Sequence, residues 1–106
     1  MADVYDFFLH NWAAAVTMEK MGFKTGSLDG TAQGFIHSTG HGLGLDIHEL
    51  PSVGPTGGKL QKGHVITIEP GLYYRKHGGI RIEDVFYVTK KGSEKLTKFP
   101  IFLEID

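Results

Sequence analysis

Two runs rich in β-branched and aromatic residues, HVITIEPGLYY at 64–74 and GIRIEDVFYVT at 79–89, are separated by RKHG, and this pairing constrains the fold of the 106-residue chain most strongly. Each run reads as a strand and RKHG as the turn of a hairpin. Alternation along a strand puts Val65, Thr67 and Glu69 on one face of the first, and Arg81, Glu83, Val85 and Tyr87 on one face of the second. With the turn at Arg75–His77 and Tyr74 opposite Gly78, Glu69 faces Glu83. Directly opposed side chains have Cβ atoms ~5 Å apart, so two carboxylates there repel. A cation between them would convert the repulsion into shared coordination. Once a histidine joins, such a donor set suits Mn²⁺, Co²⁺, Fe²⁺ or Zn²⁺. A turn centred on Gly78-Gly79 would shift this pairing. Arg81, two residues before Glu83 on the same face, is placed to pair with a carboxylate, and Pro70 predicts an edge or bulge just after Glu69.

Histidines are supplied upstream. In FIHSTGHGLGLDIHELP, residues 35–51, His37, His41 and His48 alternate with glycines, whose backbone approaches a ligand closely and adopts conformations closed to other residues. A lone histidine would read as a surface or hydrogen-bonded residue. Three within twelve positions, followed by two opposable glutamates, read as a site.

The remainder supports an α+β domain. Residues 3–21 contain no Pro or Gly, and Val4, Phe7, Phe8, Trp12, Ala15, Val16 and Met18 recur at helical spacing, which predicts an amphipathic helix capped by Gly22, with Phe23 packing back on its last turn. Residues 24–34 and 51–63 read as irregular, Lys90-Lys91-Gly92 as a tight turn, and residues 101–105 as a short further strand. One small domain spanning residues 1–106 is the size this length supports.

Composition narrows the chemistry. Eleven Lys plus Arg against twelve Asp plus Glu, with no run of one sign, leave no footprint for nucleic acid. No stretch approaches the ~18 apolar residues of a membrane span, and the N-terminus lacks the basic and apolar regions of a signal peptide, so the expected location is cytoplasmic. With no cysteine, any metal is held by His, Asp and Glu.

HSTGHGLGLDIHELP, then ITIEPGLY, then GGIRIEDVFYVT, in that order and spacing, resemble the C-terminal half of the creatinase/methionine aminopeptidase superfamily, the pita-bread metallopeptidases. EPGLY and GIRIED are most similar to the Xaa-Pro dipeptidase (prolidase) and Xaa-Pro aminopeptidase branch. The resemblance runs from about Val4 to Thr97. It implies a pita-bread half, a helix packed on a small, mainly antiparallel sheet, and metal-dependent hydrolysis of peptides with proline after the scissile bond. It also implies His41, Glu69 and Glu83 as ligands of a two-metal site, Glu69 as proton shuttle, and His48 as the histidine that contacts substrate and steadies the tetrahedral intermediate. His37 would be a further histidine near the scissile bond, and Arg81 the support of the carboxylates.

Family members carry two further Asp ligands on an upstream hairpin. Asp3, Asp6 and Asp29 do not match them. The resemblance therefore leaves three expectations: a missing N-terminal half, a homodimer in which each copy completes the other, or a catalytically inactive half-domain that binds metal or protein.

Overall fold

The structure, a computed structural model, describes residues 5–101. The predicted helix starts later than its periodicity suggested. Tyr5–Asp6 form a two-residue strand, β1, paired antiparallel with Lys59–Leu60, and helix α1 runs over Phe7–Lys20. A partner more than fifty positions away captures the backbone that the local pattern assigns to the helix, while residues 3 and 4 lie outside the described residues. The other end follows expectation. Gly22 (φ +94°) donates to Glu19 and Phe23 donates to the Met18 carbonyl, both at 2.9 Å, which satisfies two of the last helical carbonyls in a Schellman motif. The Phe23 side chain remains 39% exposed.

Residues 24–34 are not wholly irregular: β2 (Gly26–Leu28) and β3 (Thr31–Gln33) form a hairpin. Its two-residue turn, Asp29-Gly30, has φ of +53° and +75°, the doubly left-handed conformation that matches the twist of paired strands. Residues 51–63 likewise contain regular structure: β4 (Gly40–Gly42) pairs with β5 (Glu49–Val53), and β6 is Lys59–Leu60.

The predicted hairpin is present in the expected register, with one interruption. β7 (Val65–Ile68) and β8 (Gly71–Tyr74) replace the first long strand, and β9 (Gly78–Arg81) and β10 (Asp84–Val88) replace the second. Ile68 opposes Asp84, Gly71 opposes Arg81 and Tyr74 opposes Gly78, so one offset holds throughout, with the turn at Arg75–His77. The ladder stops at Glu69-Pro70 and Ile82-Glu83. Pro70 has no N–H to offer, and the Glu69 N–H goes instead to the Thr39 carbonyl at 2.6 Å. Beyond this break β8–β9 is a separate two-stranded sheet, while β7 and β10 belong to a five-stranded antiparallel sheet ordered β11-β10-β7-β4-β5. β11 is Ser93–Lys95, folded straight back from β10 by a turn in which Thr89 donates to the Gly92 carbonyl. Of the further strand expected at 101–105, Ile101 has no strand assignment and residues 102–105 lie outside the described residues.

Val53, Leu60, Ile66 and Val88 are buried, with Ile68 and Phe86 packed against them. Each such side chain contributes about 1.5–3 kcal/mol by leaving water. Ala14 of α1 lines an apolar cavity of about 420 Å³ with Leu60, Ile66, Ile68, Phe86 and Val88, which puts the helix over this face. Thr67 occupies the alternate position on β7 and is left for the other face. No described helix is long and apolar enough to cross a membrane.

The strand after β10 is tied down by charge. Asp84 accepts from Lys95 Nζ at 2.8 Å and from the Thr97 hydroxyl at 2.5 Å, and these two contacts, Lys95 first, hold its carboxyl below the ordinary carboxylate range. A lowered folded value means that this stabilisation is present above the unfolded pKa, about 3.9, and is lost as pH falls through the folded value. Thermal unfolding followed from pH 6 to 2 is therefore expected to show a loss of stability below about pH 4 that is smaller in Asp84→Asn; equal acid sensitivity in the two proteins would contradict the clamp.

Candidate metal centre

The site begins with the Gly-His-Gly of β4. A Cβ at position 40 would lie 1.8 Å from the Thr67 carbonyl oxygen, and one at position 42 would lie 2.1 Å from the Leu50 carbonyl oxygen, so β4 approaches its neighbours more closely than any side chain permits. That approach lets the His41 N–H donate to Thr67 Oγ1 at 3.0 Å and brings His41 Nε2 to 3.1 Å from Glu69 Oε1. The other ring nitrogen, Nδ1, is 2.9 Å from the Gly42 carbonyl, which can only accept, so Nδ1 carries hydrogen. Nε2 is then free for a proton or a cation, the arrangement by which a ligating histidine is oriented through its second nitrogen.

Glu69 is buried and receives a hydrogen bond from Thr67 Oγ1 at 3.2 Å. Its second oxygen lies 3.6 Å from Arg81 Nε, which is 3.9 Å from Glu83 Oε2. His41, Glu69 and Glu83 each offer an atom within 4.8 Å of the others; among the described residues this is the group of three or more metal-ligating side chains that converges. One imidazole nitrogen and two carboxylates facing a common point suit a divalent cation of the Mn²⁺–Zn²⁺ series. The Arg81 guanidinium is held above its ordinary pKa, first by its interaction with Tyr73 and then by Glu69 and Glu83. The arginine is half exposed, so its ion pairs are screened by solvent.

The other residues singled out in the sequence also gather here. His37, His41, His48, Glu69 and Arg81 line one open cleft of about 640 Å³, and Glu83 stands beside it. His48 is exposed, with its ring edge-on to His41 at a centroid distance of 4.7 Å. His37 donates from Nδ1 to the Ser38 carbonyl at 2.6 Å and accepts at Nε2 from the Tyr73 hydroxyl at 2.9 Å. Tyr73 was not legible as a site residue. Its hydroxyl reaches His37 because Gly34 and Tyr73 exchange backbone hydrogen bonds, laying β3's end on β8. The available signal was its position four residues after Glu69, past the ladder break, but strand alternation alone assigns it no contact with His37. Asp29 sits in the β2–β3 turn, and the structure does not bring it into this cluster.

The sequence matches metallopeptidase family M24 over residues 8–90, and the chain belongs to that family. It is 42% identical to an Xaa-Pro dipeptidase of Pyrococcus horikoshii over 91% of this chain and 30% of that protein. The structure superposes on an Xaa-Pro dipeptidase from Bacillus anthracis with a TM-score of 0.80, at 35% identity, covering 97% of this chain and 27% of the other. Prolidase from Pyrococcus furiosus gives 0.75 at 40% identity, covering 90% and 26%. An X-prolyl aminopeptidase from Caenorhabditis elegans, described as a cytosolic enzyme with a di-nuclear active site, gives 0.67 at 32% identity, covering 95% and 17%. The described architecture is thus the C-terminal part of a pita-bread fold, and the chain spans about a third or less of the length of these relatives.

Gly71 is where the tyrosine–histidine contact is most exposed to test. A methyl group there would sit 2.5 Å from the Tyr73 hydroxyl and 2.9 Å from His37 Nε2. Gly71→Ala is expected to push the Tyr73 and His37 ring ends apart and break that hydrogen bond, shifting the His37 ring-proton resonances; unchanged resonances would contradict the geometry.

Proposed function

We propose that this chain is the C-terminal part of the catalytic domain of a metal-dependent peptidase that cleaves Xaa-Pro bonds, and that its three converging donors are its share of a two-metal site. The convergence of His41 Nε2 with the carboxylates of Glu69 and Glu83 carries the reading. Manganese, cobalt, iron and zinc all accept this donor set, which is completed by carboxylates outside the chain. When bound, the cations would lower the pKa of a water and polarise the peptide carbonyl. Within the chain, His41, Glu69 and Glu83 would hold the ions. Glu69 takes the proton of the attacking water and passes it to the proline nitrogen as the C–N bond breaks. His48, exposed over the cleft, donates to the carbonyl oxygen as negative charge builds there, and His37 binds the substrate beside the scissile bond. Arg81 spans the two carboxylates and balances their charge between turnovers.

The substrate is a short peptide with proline after the scissile bond, as in the names of the Pyrococcus horikoshii and Bacillus anthracis relatives. The remaining donors come from an N-terminal half or from a second copy of the chain. The description of the Caenorhabditis elegans relative as cytosolic supports a cytoplasmic location.

Calorimetric titration of the chain with Mn²⁺ and Co²⁺ tests the assignment. Saturable binding is expected, weakened at least 10-fold in Glu69→Gln, as removal of a first ligand should exceed the 10–100-fold effect of outer-shell changes. Binding that is absent, or indifferent to Glu69→Gln, would contradict it.

A further inference from the structure

The loop of residues 43–48, between β4 and β5, carries His48 to the metal cluster, and its own anchoring is unusual. It leaves the sheet at Gly42, whose ladder partner is Glu49, so six residues project from a closed rung. Its first residue is pinned, Leu43 N–H donating to the Val65 carbonyl at 3.0 Å. Burial of apolar side chains does not hold the rest: Leu45 and Ile47 are 104% and 84% exposed. What reaches the middle of the loop is a carboxylate from its base. Glu49 Oε1 accepts from the Asp46 N–H at 3.0 Å, a charge-assisted bond. The loop closes on that carboxylate so tightly that a Cβ at Gly44 would lie 1.9 Å from Oε2 and 2.2 Å from Oε1. Glu49 lines the same cleft as His41 and His48.

We infer that Glu49 is a positioning residue: by bonding the Asp46 amide and seating Gly44, it folds the loop so that the neighbouring His48 ring stands edge-on to His41 at the metal cluster. This rests on the reading of His48 as a substrate-contacting group, but the geometry is testable without turnover. A mobile loop would leave His48 in many orientations, and an ordering bond made before substrate arrives removes that cost from binding.

The test is the nuclear Overhauser cross-peak between the His41 and His48 ring protons in the full chain, with the amide resonances of Ile66 and Phe86 reporting the fold. Glu49→Gln, which keeps the acceptor oxygen, is expected to retain the cross-peak. Glu49→Ala is expected to lose it while the Ile66 and Phe86 amides stay in place. Gly44→Ala, whose methyl displaces the carboxylate, is expected to lose it as well and serves if Glu49→Ala does not fold. A cross-peak that persists in Glu49→Ala, or is lost equally in Glu49→Gln, overturns the assignment. A chain that behaves as expected here yet binds no Mn²⁺ would overturn the peptidase reading and leave the positioning role of Glu49 standing.

Discussion

Two carboxylates held within a few ångströms repel, and much of this structure answers that repulsion. At about 4 Å the penalty is ~1 kcal/mol in water and ~4 kcal/mol at the effective dielectric of a protein surface, and Glu69 is buried while Glu83 is exposed. The hairpin register places them together, and three other elements supply what they lack. β4 brings the His41 imidazole, β7 brings the Thr67 hydroxyl, and β9 brings the Arg81 guanidinium. The arginine approaches both carboxylates only at 3.6 and 3.9 Å, and a half-exposed pair of that kind is worth ~0–1 kcal/mol. Compensation among the described residues is therefore incomplete, which supports the proposed cation site.

The sheet and the site divide the long hairpin between them. Where β7 pairs with β10 the chain does structural work, burying Ile66 and Val88, with Phe86 packed against them, on the face that α1 covers. The ladder ends at Glu69, and the backbone there turns to Thr39 for its hydrogen bond. This single exchange couples the hairpin to the segment between His37 and His41. Releasing the strand from its partner opens space between the two sheets for the cleft, while the common register on both sides keeps Glu69 and Glu83 opposed. The glycines at 40, 42 and 71 serve the same end by permitting approaches that a methyl group would block.

Much of this was legible before the structure. The register rested on the choice of turn: a turn at Gly78-Gly79 would have shifted it, whereas the observed turn at Arg75–His77 fixes every pairing behind it, and the histidine spacing marked the second component. The Asp29-Gly30 hairpin was missed although that dipeptide is a strong turn signal, since the three-residue strands beside it bury almost nothing and leave no alternation to read. β1 and β6 were invisible because their pairing joins residues more than fifty positions apart. Pro70 announced an irregularity, but not that the strand would divide between two sheets. Tyr73 was missed because its partners, His37 and Arg81, depend on that division.

At the centre stands the proposal that the hairpin register and the close approach of β4 bring His41, Glu69 and Glu83 together as donors to divalent cations. Paramagnetic broadening by sub-stoichiometric Mn²⁺ in an amide nuclear magnetic resonance spectrum tests it most directly. The account predicts broadening centred on three stretches far apart in sequence, 40–42, 67–69 and 81–84, with the amides of His64 and His77 sharp. Broadening centred on those two histidines, or on only one of the three stretches, would contradict it.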